Sequence, residues 1–334
     1  MQKRTFVVSM MVVFTIIYSA GVVAARSKVY RSSDYLDKDY VQLAIIGNEM
    51  IRIEGRSGVG KTGFALVLVG SEGRKIAFRG AVGPDGFYGG EYDVSEVRTK
   101  NTNELWISFI QGTERTYWSY YTGIRLDHEA GELWFAQSPV YEHNLEVYSS
   151  YSQLRPSEYL EIEVVNREEI RELQALADEI TAGENTDYGK LLAIHDWVAQ
   201  NIYYNYDGYR SGDYGSIDPH STLQRRVSIC HGYSWLTEVL LRSIGIPARL
   251  VSGLVLGPRA QGRYWDETPD ADIEMHSWNE AFVDGRWVIL DVTWDGRNRF
   301  EDGQFKQGEI RYRYFDPSLE AFSHTHKMMP LDGF

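Results

Sequence analysis

The chain has 334 residues, 43% of them apolar, which is enough to build the cores of two domains of ordinary size. A formal charge of −13 argues against nucleic acid or an anionic membrane surface as the main partner. A single cysteine, Cys230, excludes an intramolecular disulfide and a cysteine metal cluster, so it is either a small buried hydrophobe or a nucleophile.

Lys3 and Arg4 precede Thr5–Ala25, which carry no charge, and Arg26 follows. Small residues at Val23-Ala24-Ala25 suit a cleavage site, so residues 1–25 read as a signal peptide, or as an uncleaved anchor given the length of the apolar run. Either reading places the remainder outside the cytoplasm, secreted or at the cell surface, with membrane contact only through that segment. Residues 26–39 read as a polar linker.

From 40 to 150 short alternating runs are broken by glycine and polar turns: Val41–Ile46, Met50–Glu54, Phe64–Val69, Lys75–Arg79, Glu104–Ile110 and Gly131–Phe135. That rhythm, with 23 tyrosines and 9 tryptophans in the chain, predicts an antiparallel sandwich or partial barrel. Gly83–Gly90 is expected to be a loop. Gly55-Arg-Ser-Gly-Val-Gly-Lys-Thr62 matches a phosphate-loop string, but Gly63-Phe-Ala-Leu-Val-Leu-Val69 after it is strand-like. A phosphate loop needs a helix there, so a turn between strands is the better account.

The pattern changes near Arg155. Asn166-Arg-Glu-Glu169 reads as a capping box, with Ile170, Leu173, Leu176 and Ile180 on one face of the helix it opens. Thr186 caps a second helix whose stripe is Tyr188, Leu191, Leu192, His195, Val198 and Ile202; on that stripe His195 reads as core packing rather than catalysis. Tyr203–Pro219 is an aromatic, glycine-rich loop. A third helix runs from an N-cap at Ser228 to Ile244, stopped by Gly245-Ile-Pro247, and Arg249–Leu256 is a strand. Asp266, Glu267, Asp270, Asp272 and Glu274 form an acidic stretch, read as a solvated loop. The sharper reading is a lip that attracts basic substrates, repels acidic ones or binds calcium, though the spacing matches no EF-hand. His324 and His326 are too few for a structural zinc site and receive no role.

The chemistry gathers around Cys230. In the first turn of its helix, unpaired N–H groups and the helix dipole favour a thiolate and can donate to an oxyanion. Downstream, Asp284-Gly285 between two alternating apolar runs is a two-residue hairpin turn. That register pairs Val283 with Arg286 and brings Asp291 opposite Trp278, on the face of His276 and diagonal to it. Diagonal neighbours lie roughly 7–8 Å apart, close enough for imidazole and carboxylate to meet. The spacing fits a base oriented by an acid, to which the helix brings a thiol.

These segments resemble the transglutaminase-like superfamily, whose pattern is Gly-x-Cys-x-Gly-Tyr, then His-x-Trp-Asn, then Gly-x-Trp-x-x-x-Asp-x-Thr-Trp. Here they read Ser228-Ile-Cys-His-Gly-Tyr233, His276-Ser-Trp-Asn279 and Gly285-Arg-Trp-Val-Ile-Leu-Asp-Val-Thr-Trp294, with Gly245-Ile-Pro-Ala-Arg249 similar to the family's helix-to-strand passage. The likeness runs from about Thr186 to His326. It implies Cys230 as nucleophile, His276 as base and Asp291 as orienting acid. Two departures stand out. Ser228 replaces a glycine, and the additional oxyanion-donating tryptophan of the animal enzymes is not placed by the upstream sequence, where Trp197 is read as packing.

The expectation is therefore an α+β chain, with an antiparallel β-sandwich-like domain over 40–150 and a transglutaminase-like (papain-like) domain over 155–334. The activity implied is thiol acyl transfer at an amide, on a protein, peptide or cell-wall peptide, without cofactor or metal. Water as acceptor gives a peptidase or amidase, and a lysine amine a crosslinking enzyme. The alternative from another class is a non-catalytic binding or scaffold module at the cell surface, presenting an aromatic groove.

Overall fold

The computed structural model describes residues 26–33, 40–57, 61–69, 75–95, 102–111, 117–162, 166–261, 263–308 and 310–331. The expected signal peptide or anchor at 1–25 lies outside these. Among the described residues no helix is long and apolar enough to cross a membrane.

Ten strands come first: β1 (Arg26–Ser27), β2 (Val29–Ser33), β3 (Tyr40–Ile46), β4 (Met50–Arg56), β5 (Lys61–Val69), β6 (Lys75–Ala81), β7 (Phe87–Asp93), β8 (Thr102–Gln111), β9 (Tyr117–Glu129) and β10 (Glu132–Ala136). They form two antiparallel sheets, ordered β1-β10-β9-β8-β5-β6 and β2-β3-β4-β7. Alternation drives the arrangement. Leu43, Ile51 and Ile53 from one sheet and Phe64, Leu66, Leu105 and Ile107 from the other are wholly buried in one shared core.

Three expectations are corrected here. Residues 26–33 form strands that pair with β10 and β3, so the expected linker is partly sheet. The expected loop at Gly83–Gly90 becomes strand β7 from Phe87 onward. Its glycines are required by crowding: a Cβ on Gly89 would lie 2.9 Å from the Ile53 carbonyl oxygen, and one on the facing Gly55 would meet the Tyr88 ring at 2.3 Å. Lastly, helix α1 (Tyr141–Ser150) belongs with the second half, where its Val147 packs with Trp278 and Trp287. The phosphate-loop string is bracketed by β4 and β5; residues 58–60 lie outside those described, but a strand, not a helix, starts at Lys61.

The second half adds α2 (Arg167–Thr181), α3 (Asp187–Asn201), β11 (Tyr203–Asn205), α4 (Tyr206–Ser211), α5 (Pro219–Arg225), β12 (Val227–Ser228), α6 (Cys230–Ser243), β13 (Ala248–Val255), β14 (Glu274–Val283), β15 (Arg286–Leu290), α7 (Val292–Asp295), β16 (Arg299–Glu301), β17 (Gln304–Lys306), α8 (Leu319–Ser323) and β18 (His326–Met328). Asn166 caps α2, accepting from Glu168 N–H at 2.9 Å, and its amide donates to Glu169 Oε1 at 3.2 Å. Thr186 caps α3, accepting from Gly189 N–H at 3.0 Å. The antiparallel sheet β15-β14-β13-β18 separates two cores. On one face Ala281, Val283, Val288 and Leu290 meet Leu236, Val239 and Leu240 of α6 and Leu173 of α2. On the other, Trp278, Trp287 and Ile289 meet Tyr151, Phe322 and Met328. The loop expected at Tyr203–Pro219 contains β11, which runs parallel to β12 and sets Tyr204 opposite Ser228.

A buried ion pair locks this second face. Arg249 donates to Glu280 Oε2 from Nε at 2.9 Å and from Nη2 at 2.6 Å, while Tyr151 donates to Oε1 at 3.0 Å. The guanidinium lies 4.1 Å from the Tyr151 ring centroid and 5.3 Å from that of Trp287.

Candidate active site

Cys230 is the first residue of α6 and is half-buried. Its N-cap is Ile229, with no side-chain cap, so the first-turn N–H groups remain available to an acyl oxygen. The expected N-cap, Ser228, instead ends β12 wholly buried, where its Oγ accepts from Thr222 Oγ1 at 3.2 Å. The reason is steric as well as polar. A Cβ on Gly232 would come within 1.9 Å of Ser228 Oγ, so the hydroxyl fills the space that the glycine leaves open.

The hairpin forms in the expected register, with Val283 paired to Arg286 and Asn279 to Leu290. Asp284 and Gly285 have φ of 51° and 84°, the positive values that a tight hairpin turn needs. Asp291 follows the last pair and caps α7, with Oδ1 accepting from Trp294 N–H at 3.1 Å. Its Oδ2 lies 2.7 Å from His276 Nε2. Cys230 is near enough to His276 to help raise its pKa, and with Nε2 engaged by Asp291 the nitrogen left to face the thiol is Nδ1. Asn279 Nδ2 donates to the Ser234 carbonyl of α6 at 2.8 Å, tying the histidine strand to the cysteine helix.

Burial works against charge on His276, but the Asp291 carboxylate and its hydrogen bond, with Cys230, outweigh it and push the imidazole up to about 10. Asp291 is also opposed by burial, yet His276 and then His326 hold it well below the ordinary carboxylate range. Both directions describe an imidazolium–carboxylate pair at neutral pH. Trp294 covers the pair, its ring centroid 5.1 Å from that of His276. Gly253, opposite His276 in the β13–β14 register, makes room for Trp278, since a Cβ there would meet that indole at 2.3 Å.

Around the thiol lies an aromatic rim. Tyr204, opposite Ser228 in the β11–β12 pairing, is raised above the ordinary phenol range by burial and then by Cys230. Tyr209 donates to Glu274 Oε1 at 2.6 Å and is pushed up to about 12 by burial and then by that bond. The acidic stretch is only partly a solvated loop: Asp266 pairs with Arg125 at 2.9 Å and Asp272 with Arg263 at 2.6 Å, while buried Glu274 faces Arg259 at 3.6 Å.

Two histidines behave differently from the reading of their sequence. His326, given no role, is wholly buried with Nε2 3.2 Å from Asp291 Oδ2. No local signal marks it, because β18 reaches the site only by pairing with β13. His195 is buried as expected of a core position, but as part of an ionic cluster: Nδ1 is 2.9 Å from Asp196 and Nε2 3.2 Å from Asp295. Burial lowers it, and those two partners more than compensate, pushing it up to about 9. Burial raises Asp295 to about 6. Trp197 packs against the helical core under the Arg226 guanidinium, 4.9 Å from its ring centroid, in line with the packing role expected.

Ligand atoms of His276, Asp291 and His326 lie within 4.8 Å of one another, which is within reach of a shared ion. Those same atoms already serve one another as hydrogen-bond partners, and an ion there would take the Nε2 by which His276 is oriented.

The family profile described as the transglutaminase-like superfamily matches residues 174–292. Kyphoscoliosis peptidase of Homo sapiens is 26% identical over 122 residues, which are 36% of this chain and 18% of that protein. The Mus musculus protein is 25% identical over the same length. The chain thus spans less than a fifth of the length of these curated relatives. The periplasmic domain of TgpA from Pseudomonas aeruginosa aligns with a TM-score of 0.31 at 14% identity, over 74% of this chain and 87% of that one. Residues 174–292, which hold Cys230, His276 and Asp291, are a transglutaminase-like domain.

Proposed function

We propose that this protein is an exported thiol acyl-transfer enzyme acting on amide or peptide bonds, with Cys230 as nucleophile, His276 as proton carrier and Asp291 as orienting acid. The observation that supports this most is a buried imidazole 2.7 Å from a buried carboxylate, its titration raised in part by a half-buried thiol at a helix N-terminus. Export rests on Lys3 and Arg4 ahead of the uncharged stretch Thr5–Ala25.

The step follows from the groups present. Cys230 Sγ, its proton held by His276, forms a bond to the carbonyl carbon, and the oxygen takes the negative charge beside the first-turn N–H groups of α6. Collapse breaks the C–N bond, and His276 gives its proton to the departing amine. Water or a lysine amine, deprotonated by His276, then releases the acyl group and restores the thiol. Asp291 stabilises the imidazolium throughout.

The test is a fluorogenic peptide and amine-donor panel with wild type, Cys230→Ser and His276→Ala, together with mass spectrometry of the trapped adduct. Amide turnover that both substitutions abolish, with an acyl group found on Cys230, is expected. Turnover that persists in Cys230→Ser would sink the proposal.

A further inference from the structure

On the reading just proposed, Asp291 must be held as firmly as the imidazole it orients, and the residues around it are specific enough to say how. Its two oxygens are engaged separately: Oδ1 by the Trp294 N–H at 3.1 Å, Oδ2 by His276 Nε2 at 2.7 Å and by His326 Nε2 at 3.2 Å. Since a carboxylate only accepts, the proton of His326 sits on Nε2, and Nδ1 accepts from Thr325 Oγ1 at 2.9 Å. That threonine hydroxyl lies 3.1 Å from the Tyr314 hydroxyl. The ring is stacked on Phe322, with centroids 4.2 Å apart and planes 16° apart, and meets Trp278 edge-on at 5.3 Å. Its strand is clamped by Asn144 of α1, whose Nδ2 donates to the His326 carbonyl and whose Oδ1 accepts from Met328 N–H, each at 2.8 Å.

We propose that His326 is a positioning residue of the active site, a neutral imidazole that fixes the plane of the Asp291 carboxylate and so sets where Nδ1 of His276 faces Cys230. Without it, Oδ2 would keep a single donor and the carboxylate could turn about its Cβ–Cγ bond, carrying the His276 ring with it. Neutrality is part of the role. A lysine or arginine in its place would cancel the negative charge that His276 draws on, whereas an imidazole with one proton supplies a hydrogen bond and leaves that charge intact. Burial pushes His326 down to about 4 even with Asp291 beside it, in keeping with a neutral ring.

The test is the rate of Cys230 alkylation by iodoacetamide at pH 6, where an ordinary thiol is almost wholly protonated and the rate reports the pairing with His276. With one cysteine in the chain, intact mass gives the adduct directly. His326→Phe keeps the stacked ring and removes the donor; by analogy with the outer partners that orient metal-bound histidines, the rate is expected to fall about tenfold or more. His326→Gln, which can present an N–H near the lost Nε2, should keep most of the rate, and His326→Asn, whose amide is too short to reach Asp291, should not. In an Asp291→Ala background His326→Phe should cost nothing further. Equal rates for the Gln and Asn variants, or a full loss from His326→Phe on top of Asp291→Ala, would show that His326 only packs. An Asp291→Ala rate equal to wild type would instead overturn the triad itself, and His326 with it. Thermal midpoints of each variant separate these outcomes from simple unfolding.

Discussion

Nε2 of His276 lies 2.7 Å from Oδ2 of Asp291, because both residues sit at the open end of the hairpin they share, away from its Asp284-Gly285 turn. Asp291 is one step beyond the last β15 pair and turns inward because it caps α7. The hairpin turn therefore delivers the partner, and the helix cap aims it. Asp291→Asn keeps the shape and one acceptor but loses the charge that supports an imidazolium. Amide turnover should drop roughly a thousandfold or more, as in serine triads, while the circular dichroism spectrum is retained. A loss under tenfold in a folded variant would mean that His276 is oriented by something else.

The charge on that pair fixes a pH window. An unfolded imidazole titrates near 6.5, and His276 is pushed up to about 10. A raised value stabilises the fold fully below about pH 6.5, and that stabilisation is lost as pH climbs toward 10. Asp291 is held below the ordinary carboxylate range, so its contribution is present above about pH 4 and is lost as pH falls. The urea midpoint gap between wild type and His276→Gln should thus be widest from about pH 4 to 6.5 and narrow toward pH 10. A gap that stays flat across this range would show that the folded protein does not bind the extra proton.

The fit between Ser228 and Gly232 predicts a compensating pair. Gly232→Ala forces a methyl to within 1.9 Å of Ser228 Oγ, and overpacking of this kind costs about 1–3 kcal/mol. Adding Ser228→Gly, the residue found in the superfamily pattern, should recover much of that loss in a denaturant titration. Additive losses in the double variant would show that the two residues do not share the space.

Removing one partner of the Arg249–Glu280 pair should be severe. Glu280 is wholly buried, so Arg249→Met leaves a carboxylate with only Tyr151 as its donor. Breaking a buried pair from one side costs about 3–5 kcal/mol. Unfolding followed by tryptophan fluorescence, with Trp287 beside the pair, would measure it; a change under about 1 kcal/mol would mean that the pair is not desolvated.

The phosphate-loop string should bind nothing. Because β5 begins at Lys61, the helix N-terminus that such a loop requires is missing at that point. Millimolar ATP with magnesium should leave the thermal midpoint of the full chain unchanged, and a saturable rise would overturn the reading of the string as a connection between strands.

Local patterns determined a good deal of this protein. Seven of the strands, the caps Asn166 and Thr186, and the hairpin register from Asp284-Gly285 are all short-range events, governed by alternation, turn geometry and capping within a few residues. The meeting of His276 and Asp291 was legible for the same reason, since one turn fixes both. Tertiary structure decided the rest. Gly83–Gly90 looked like a loop because glycine is a poor strand former, and only the crowding of Tyr88 and the Ile53 backbone explains β7. Ser228 looked like a cap, but β12 pairing to β11 placed it in the core. His195 fell on an apolar stripe, yet Asp295, a hundred residues away, turned that position into an ionic one. His326 shows the limit most clearly. Its bond to Asp291 depends on an edge strand joining β13 and on a helix from before residue 150 clamping that strand. Contacts of that sequence separation leave no periodicity or spacing to read, because they are fixed by how separate elements pack and not by the backbone between them.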